Sequence, residues 1–222
     1  MGIKAYKGRA GVILGSDMSR TETKWTAEGD VAYREQTRTE GQKIYVDDKR
    51  RIALCMSGVY DPFYTDFLSK VLDGDINVKK AVKQGFFPEL RDLNFSRWGG
   101  RVPNSEQINA LLLATRFDKP KLFTCFPLGK VEERDWTSIG SGSQYALRYI
   151  SEQSRLIPRR INLGEGIDIA VGSLDRASQD VYTGGLDLVV LTKDNIQEFG
   201  REIRKEIDDA RVKALEKVKA HF

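Results

Sequence analysis

Residues 1–17, MGIKAYKGRAGVILGSD, carry the pattern that best indicates the fold. The segments Ile3–Tyr6 and Val12–Leu14 flank the glycine-bearing turn Lys7–Gly11, and this pattern predicts a β-hairpin at the start of the chain.

Downstream of the hairpin, the pattern predicts runs of strands that alternate with pairs of helices. Strands are indicated at 43–46, 51–56, 108–115, 121–126, 136–139 and 186–191, and helices after Asp61-Pro62, near 78–85, from about 143 and over 164–178. Residues 21–42 are polar and aperiodic, so they are interpreted as a long loop of the functional or mobile kind. This order predicts an α+β fold, in which two antiparallel sheets pack together with helices outside as a four-layer α/β/β/α sandwich.

Composition limits the classes of protein that the chain can represent. With 222 residues, 40% hydrophobic and 31% charged, we expect one domain over 1–222, in which 194–222 form a C-terminal amphipathic helix. The 36 basic and 32 acidic residues are mixed along the chain, unlike the basic stripe of a nucleic-acid-binding protein. Neither a signal peptide nor a membrane span is indicated. The expectation is a soluble, cytoplasmic protein with no nucleic-acid or membrane partner.

Cysteine and histidine usage excludes several chemistries. Cys55 and Cys125 lie inside apolar runs, which indicates reduced core residues. No cluster has metal-ligand spacing, so neither a metal site nor a cofactor is predicted. The single histidine, His221, is next to the C-terminus, and a Ser-His-Asp or Cys-His site therefore cannot be built from this chain alone. A hydrolase with this sequence needs a base other than histidine.

Five short motifs carry a resemblance to a known family. They are Gly11–Asp17, Lys43-Ile44 after a polar stretch, Ser57-Gly58 at a strand end, Gly140–Ser143 and Asp180–Gly185. In this order and spacing they resemble the signature of proteasome core β-type subunits and their bacterial ATPase-partnered relatives. The resemblance covers about residues 2 to 192 and implies the N-terminal-nucleophile hydrolase fold. It also implies a threonine peptidase whose N-terminal hydroxyl attacks the substrate carbonyl while its own α-amine serves as base.

The resemblance also implies a set of site residues. Its catalytic residues are Asp17, Lys43, Gly58, Ser141, Asp180 and Thr183, and its substrate-binding residue is Thr21. Lys43 would lower the pKa of the nucleophile, and Asp17 would hold Lys43 in place. Gly58 would offer its backbone N–H to the oxyanion.

The remaining members would act around the terminal amine and along the substrate. Ser141 and Asp180 would hydrogen-bond near the amine and relay protons, with Thr183 completing the network. Thr21 would hold an extended peptide by main-chain hydrogen bonds. Each residue also has a purely structural interpretation, such as an edge lysine for Lys43, a turn aspartate for Asp17 or a helix N-cap for Ser141.

The nucleophile itself is missing from the sequence, because position 1 is methionine. In one register, Met1 stands where the threonine belongs. In a second register, which the strand pattern favours, Gly2-Ile3 lie about three residues further along and the threonine precedes Met1. A late gene start, a non-catalytic subunit and a fold turned to another use are all consistent with these residues.

The leading hypothesis is a β-type subunit of a proteasome-like ring that hydrolyses peptide bonds by threonine attack, provided that a threonine precedes Gly2. Its implied partners are other proteasome-type subunits, peptide substrates and an ATPase regulator. The alternative is a non-catalytic structural ring subunit. A weaker third hypothesis is another N-terminal-nucleophile activity, such as amide hydrolysis.

Overall fold

The computed structural model describes residues 1–17, 19–28, 31–40, 43–58, 62–97, 110–153, 161–179 and 186–199, and for 19–28 and 31–40 it describes the backbone alone. The first sheet has the strand order β10-β1-β2-β11-β12 and is antiparallel where its strands pair. Its members are β1 (Gly2–Ala5), β2 (Gly11–Ser16), β10 (Trp136–Thr137), β11 (Asp187–Thr192) and β12 (Ile196–Phe199). The opening hairpin is therefore confirmed as β1 and β2.

The second sheet is an antiparallel meander in chain order. It consists of β5 (Ile44–Asp47), β6 (Ile52–Ser57), β7 (Ala110–Thr115), β8 (Lys121–Cys125) and β9 (Val131–Arg134). The β7 strand reads ALLLAT because both of its faces are buried, with Leu112 towards the first sheet and Leu113 towards helices. A strand that is buried on both faces gives a continuous apolar run in the sequence.

Five helices in the described residues complete the outer layers. They are α1 (Pro62–Asp73), α2 (Val78–Gln84), α3 (Pro88–Arg97), α4 (Ser143–Gln153) and α5 (Leu163–Ala177). One apolar cluster joins α1 to α3 with the second sheet, another joins the two sheets, and a third joins the first sheet with α4 and α5. These three apolar interfaces separate four layers, so the predicted α/β/β/α sandwich is confirmed.

Glycines permit the close contact between α5 and the first sheet. A Cβ placed on Gly166 of α5 would lie 2.8 Å from Cδ1 of Ile13, and one on Gly15 of β2 would lie 2.8 Å from Cδ1 of Leu174. Because real Cβ atoms do not approach this closely, a larger residue at either position would require the Ile13 or Leu174 side chain to move. The packing at this end of β2 matters because the candidate site follows directly after it.

The interpretation of residues 21–42 as a loop was wrong. The chain forms β3 (Ser19–Glu28) and β4 (Val31–Glu40), paired in register from Ser19↔Glu40 to Glu28↔Val31. Threonine, tryptophan, tyrosine and valine recur along both strands, and Gly29-Asp30 separates them. β-branched and aromatic residues favour strands, and a two-residue glycine-bearing connection is typical of a hairpin. The high polarity of the stretch concealed this pattern.

Other differences concern the ends of the predicted elements. Residues 196–199 form β12 against β11, so a helix does not begin at 194; residues 200–222 lie outside the described part of the chain. The apolar positions Ile196 and Phe199, interpreted as a helical stripe, lie in a short edge strand because residues on β11 supply its hydrogen-bond partners. The sequence analysis also did not predict α3 and β9. The single-domain assignment stays a prediction.

Helix α5 begins with a complete capping box, which supports a first prediction. The Asn162 side chain accepts from the Glu165 backbone N–H at 3.0 Å, and the Glu165 carboxylate accepts from the Asn162 N–H at 2.8 Å. We expect Asn162→Ala to lower the free energy of unfolding by about 1 kcal/mol, because it removes the cap. Urea titration measures this change, and Asn162→Asp, which keeps an accepting oxygen, is the matched control. Equal stability of the alanine variant and the parent would contradict the capping role.

Candidate active site

An ion pair bridges the two sheets at one end of the sandwich. Asp17 directly follows β2 of the first sheet, and Lys43 directly precedes β5 of the second. The Lys43 Nζ donates to Asp17 Oδ1 at 2.7 Å, and about a fifth of each side chain is exposed. The two residues that the resemblance placed together are thus in contact across 26 positions of sequence.

The first residue of the chain lies beside this ion pair. The Met1 α-nitrogen donates to the Gly15 carbonyl at 2.6 Å, and the Gly15 N–H donates to the Met1 carbonyl at 2.8 Å. Burial lowers the pKa of the Met1 α-ammonium; Cys55 and Asp17 act to raise that pKa, and Lys43 acts to lower it. Met1 therefore continues the β1–β2 pairing to the end of the sandwich where Asp17 and Lys43 lie, and this pairing is compatible with either register.

A buried thiol also belongs to this cluster, and the sequence analysis treated it as a core residue. Cys55 lies on β6 directly opposite Ile44, the residue after Lys43. Burial raises the pKa of the Cys55 thiol, while the Met1 α-ammonium, a hydrogen bond with Ser16 and the charge of Lys43 lower it. Both cysteines are buried and free, as predicted. Only the strand register could have placed Cys55 here, because its apolar sequence context indicates nothing but core.

Two glycine turns meet at the same end of the sandwich. Gly58 follows β6 with φ 113°, and Gly140 precedes Ser141 with φ 94°, conformations that favour glycine. A Cβ on Gly140 would lie 3.5 Å from the Ser57 Cβ, so the 140–141 turn contacts the end of β6. Ser141 is exposed in this turn, which leads into α4. The register puts the end of β6 at the same end of the second sheet as Lys43.

The other predicted site residues are less fully described. Thr21 lies in β3 opposite Arg38. The structure describes only the backbone of Thr21. Asp180 and Thr183 lie outside the described residues. The structure thus brings together Asp17, Lys43 and the start of the chain, with the Gly58 and Ser141 turns in contact nearby. In the described ranges, no group of three or more acidic, cysteine or histidine residues could hold a metal ion. No helix among them is long and apolar enough to span a bilayer.

A buried carboxyl at the start of β11 gives a second prediction, on pH. Asp187 pairs with Ser16; burial and the charge of Glu198 raise its pKa, and hydrogen bonds with the backbone of Ile44 and Leu188 oppose this. A raised folded-state pKa means that the folded protein gains stability from proton binding at low pH. This gain is lost as pH rises from about 4, the unfolded value, through the folded value.

We therefore expect Asp187→Asn to melt at a higher temperature than the parent at pH 7. The difference should shrink below about pH 4, where the parent carboxyl is protonated as well. Thermal melts of both proteins from pH 3 to pH 8 measure it, and Asp168→Asn, at an exposed position in the middle of α5, is the control. A stability gap that does not change with pH would contradict the assignment.

Comparison with solved structures supports the fold. The four-layer α/β/β/α sandwich is the predicted N-terminal-nucleophile hydrolase fold. The solved structure titled "Anbu (ancestral beta-subunit) from Yersinia bercovieri" has this fold, with TM-score 0.63 and 15% sequence identity over 100% of this chain and 97% of that one.

Sequence comparison shows which known proteins part of the chain resembles. The family described as "Proteasome subunit" matches residues 106–191. "Proteasome subunit beta 1" of Nitrosopumilus maritimus is 35% identical over 89 residues, which are 39% of this chain and 43% of that protein. "Proteasome subunit beta 2" of Pyrococcus furiosus is 33% identical over 91 residues, 40% of this chain and 43% of that protein. The matched stretches thus span less than half the length of these relatives. The predicted resemblance to proteasome β-type subunits is confirmed.

Proposed function

We propose that this chain is a β-type subunit of a proteasome-like ring, with a site arranged for the hydrolysis of peptide bonds by a nucleophile at position 1. The observation that carries the proposal is the 2.7 Å pair between Lys43 and Asp17 beside the Met1 α-nitrogen. The pair joins the two sheets, and only about a fifth of each side chain is exposed. Its location next to position 1 supports a chemical role.

The proposed chemistry assigns one role to each group. A hydroxyl at position 1 attacks the substrate carbonyl and passes its proton to the α-nitrogen, which is the base. That nitrogen then protonates the leaving amine, and water hydrolyses the resulting ester to release the acid and restore the hydroxyl. The cation of Lys43 stabilises the negative charge on the attacking oxygen, and Asp17 keeps that cation oriented. The lowered pKa of the α-ammonium supports its use as a base near neutral pH.

Further residues fit around this core of the mechanism. The backbone N–H of Gly58, at the end of β6, would face the oxyanion, and Ser141 would assist at the amine. Asp180 and Thr183 retain the roles that the family resemblance implies. Thr21, on β3, would pair with an extended peptide. Ring assembly, a cytoplasmic location and an ATPase regulator are part of the same proposal.

A second candidate, a non-catalytic ring subunit, is favoured by the state of Met1. Its side chain is 5% exposed and packs with Ile3, Ile13 and Ile150 in the cluster beneath α4 and α5. A thioether in an apolar cluster cannot attack a carbonyl. Under this alternative the Lys43–Asp17 pair serves only to join the sheets, and the subunit contributes to ring architecture.

The two candidates are separated by the mature chain in its native source. N-terminal sequencing and intact mass identify the residue at position 1, and light scattering of the same sample gives the mass of the assembly. A hydroxyl-bearing residue at that position in a ring supports the peptidase. A ring whose chains begin at Met1 or Gly2 supports the structural subunit, and a monomer contradicts both.

A further inference from the structure

The longest strands in the described structure form a sheet of their own. β3 and β4 have ten residues each and are paired along their full length, and neither bonds to a third strand in the described part of the chain. We call these two strands, residues 19–28 and 31–40, the hairpin arm. An isolated two-stranded hairpin is at best marginally stable in water, and both of its edges present backbone groups for further pairing. Among the described strands, both edges of the arm are thus open to pairing with a partner.

The arm is anchored at the candidate site. Asp17 lies two residues before β3 begins, and Lys43 lies three residues after β4 ends. The 2.7 Å ion pair between them closes the base of the hairpin. Anything that holds the arm in place therefore also acts on the ion pair beside position 1.

The arm is nearly as long as a domain is wide. Ten residues at the rise of an antiparallel strand span about 34 Å. A compact domain of about 200 residues has a radius of gyration of about 16 Å, so its diameter is about 40 Å. An element of this length that pairs with no other described strand is suited to contact a neighbouring molecule.

The charged residues of the hairpin arm indicate which class of molecule it would bind. The arm carries four basic residues and four acidic ones, so its net charge is zero, whereas the whole chain has a net charge of +4. Its basic members are Arg20, Lys24, Arg34 and Arg38, and its acidic members are Glu22, Glu28, Glu35 and Glu40. A nucleic acid or an anionic membrane would select an excess of basic residues. Balanced, interspersed charges of both signs complement a surface with the same pattern, and a second copy offers one by symmetry.

We propose that the hairpin arm docks on a second copy of this chain and fastens neighbouring subunits together at the rim of the candidate site. This inference rests on the proposed ring assembly and adds the element that makes the contact. The register places Lys24 directly opposite Glu35, so substitutions at this pair can test the proposal. Exchanging the two charges preserves an opposite-charge pair within the arm but reverses what each position offers to the partner.

The test uses the full chain and three variants, with mass and dissociation constant measured by light scattering and analytical ultracentrifugation. In the first variant, an Asn-Gly turn replaces residues 20–39, which leaves Asp17 and Lys43 in place. In the second, Lys24→Glu is combined with Glu35→Lys. The third, Lys24→Arg with Glu35→Asp, is the matched control that keeps both signs. We expect at least about tenfold weaker association for the first two, unchanged association for the third, and unchanged near-UV circular dichroism for both charge variants.

The outcomes separate this inference from the proposed function. Full-strength association of the charge-exchanged and shortened chains would overturn the arm's role and leave ring assembly intact. If the shortened chain does not fold, the charge-exchanged variant and its control decide the matter. A parent chain that stays monomeric at all concentrations would overturn both proposals. Cross-links from Lys24 between isotopically distinct copies, formed after light and heavy chains are mixed and assembled, are expected in the parent; links within single copies only would contradict docking.

Discussion

A Met1→Thr chain, produced with a removable leader so that threonine begins the mature protein, should hydrolyse fluorogenic peptides. We expect a rate at least about 10³-fold above that of the Met1 chain, since loss of a nucleophile in comparable hydrolases costs more than this. The physical reason is position, because the Met1 α-nitrogen already lies with Lys43 and Asp17 and is held by the Gly15 carbonyl at 2.6 Å. Methionine lacks the hydroxyl that would attack the substrate carbonyl. Initial rates on short peptides with a cleavable fluorophore measure the gain.

Two controls show whether any new activity comes from the candidate site. Met1→Val has the same branched shape as threonine without the hydroxyl and should remain inactive. Met1→Thr combined with Lys43→Met keeps the hydroxyl but removes the cation, and it should lose most of the gained rate. Activity of the Met1→Val chain would show that the hydrolysis occurs at another site. Activity of the Met1→Thr chain that does not change with Lys43→Met would show the same.

Removal of one partner of the Lys43–Asp17 pair should destabilise the fold, and removal of both should not. Lys43→Met leaves the Asp17 carboxylate, 20% exposed, without this cation. In its burial, the pair is intermediate between an exposed ion pair, which contributes about 0–1 kcal/mol to stability, and a buried ion pair, whose disruption costs about 3–5 kcal/mol. We expect a loss of about 1–3 kcal/mol for Lys43→Met and of less than about 1 kcal/mol for Lys43→Met with Asp17→Asn. Urea titrations of the four proteins of this cycle give the coupling energy.

The control pair for this cycle is Lys70 and Asp66 of α1, which are also 2.7 Å apart but more than half exposed. The same substitutions there should change stability by about 0.5 kcal/mol or less. Equal coupling energies for the two pairs would show that the site pair is an ordinary surface contact. Additive effects of Lys43→Met and Asp17→Asn would contradict the direct interaction.

Much of the fold could be predicted because local patterns and tertiary structure agree there. The opening hairpin, the apolar run that became β7 and the helix after Asn162 each follow from short-range periodicity or capping. The hairpin arm was missed because polar strands lack the alternation that marks a buried face. The strand at Ile196–Phe199 was missed because two apolar residues three apart fit a helix as well as a strand, and the choice depends on pairing with β11.

The candidate site was predictable in its members but not in its geometry. Asp17 and Lys43 could be named from the family motifs, and their contact is observed. The involvement of Cys55 could not be foreseen, because it depends on the β5–β6 register, which places Cys55 opposite Ile44. The register of Met1 was likewise open in the sequence, since glycine and isoleucine at positions 2 and 3 fit two alignments. The backbone pairing of Met1 with Gly15 shows that the β1–β2 ladder continues to the first residue, and it leaves both alignments open.

Covalent labelling by a β-lactone tests whether position 1 is the nucleophile position of a proteasome-type site. The Met1→Thr protein is treated with a β-lactone and analysed by intact mass and peptide mapping. The account predicts one lactone per chain, attached to the threonine at position 1, and no adduct on the parent protein. An unmodified threonine chain that is otherwise folded, or an adduct on any other residue such as Cys55, would contradict it.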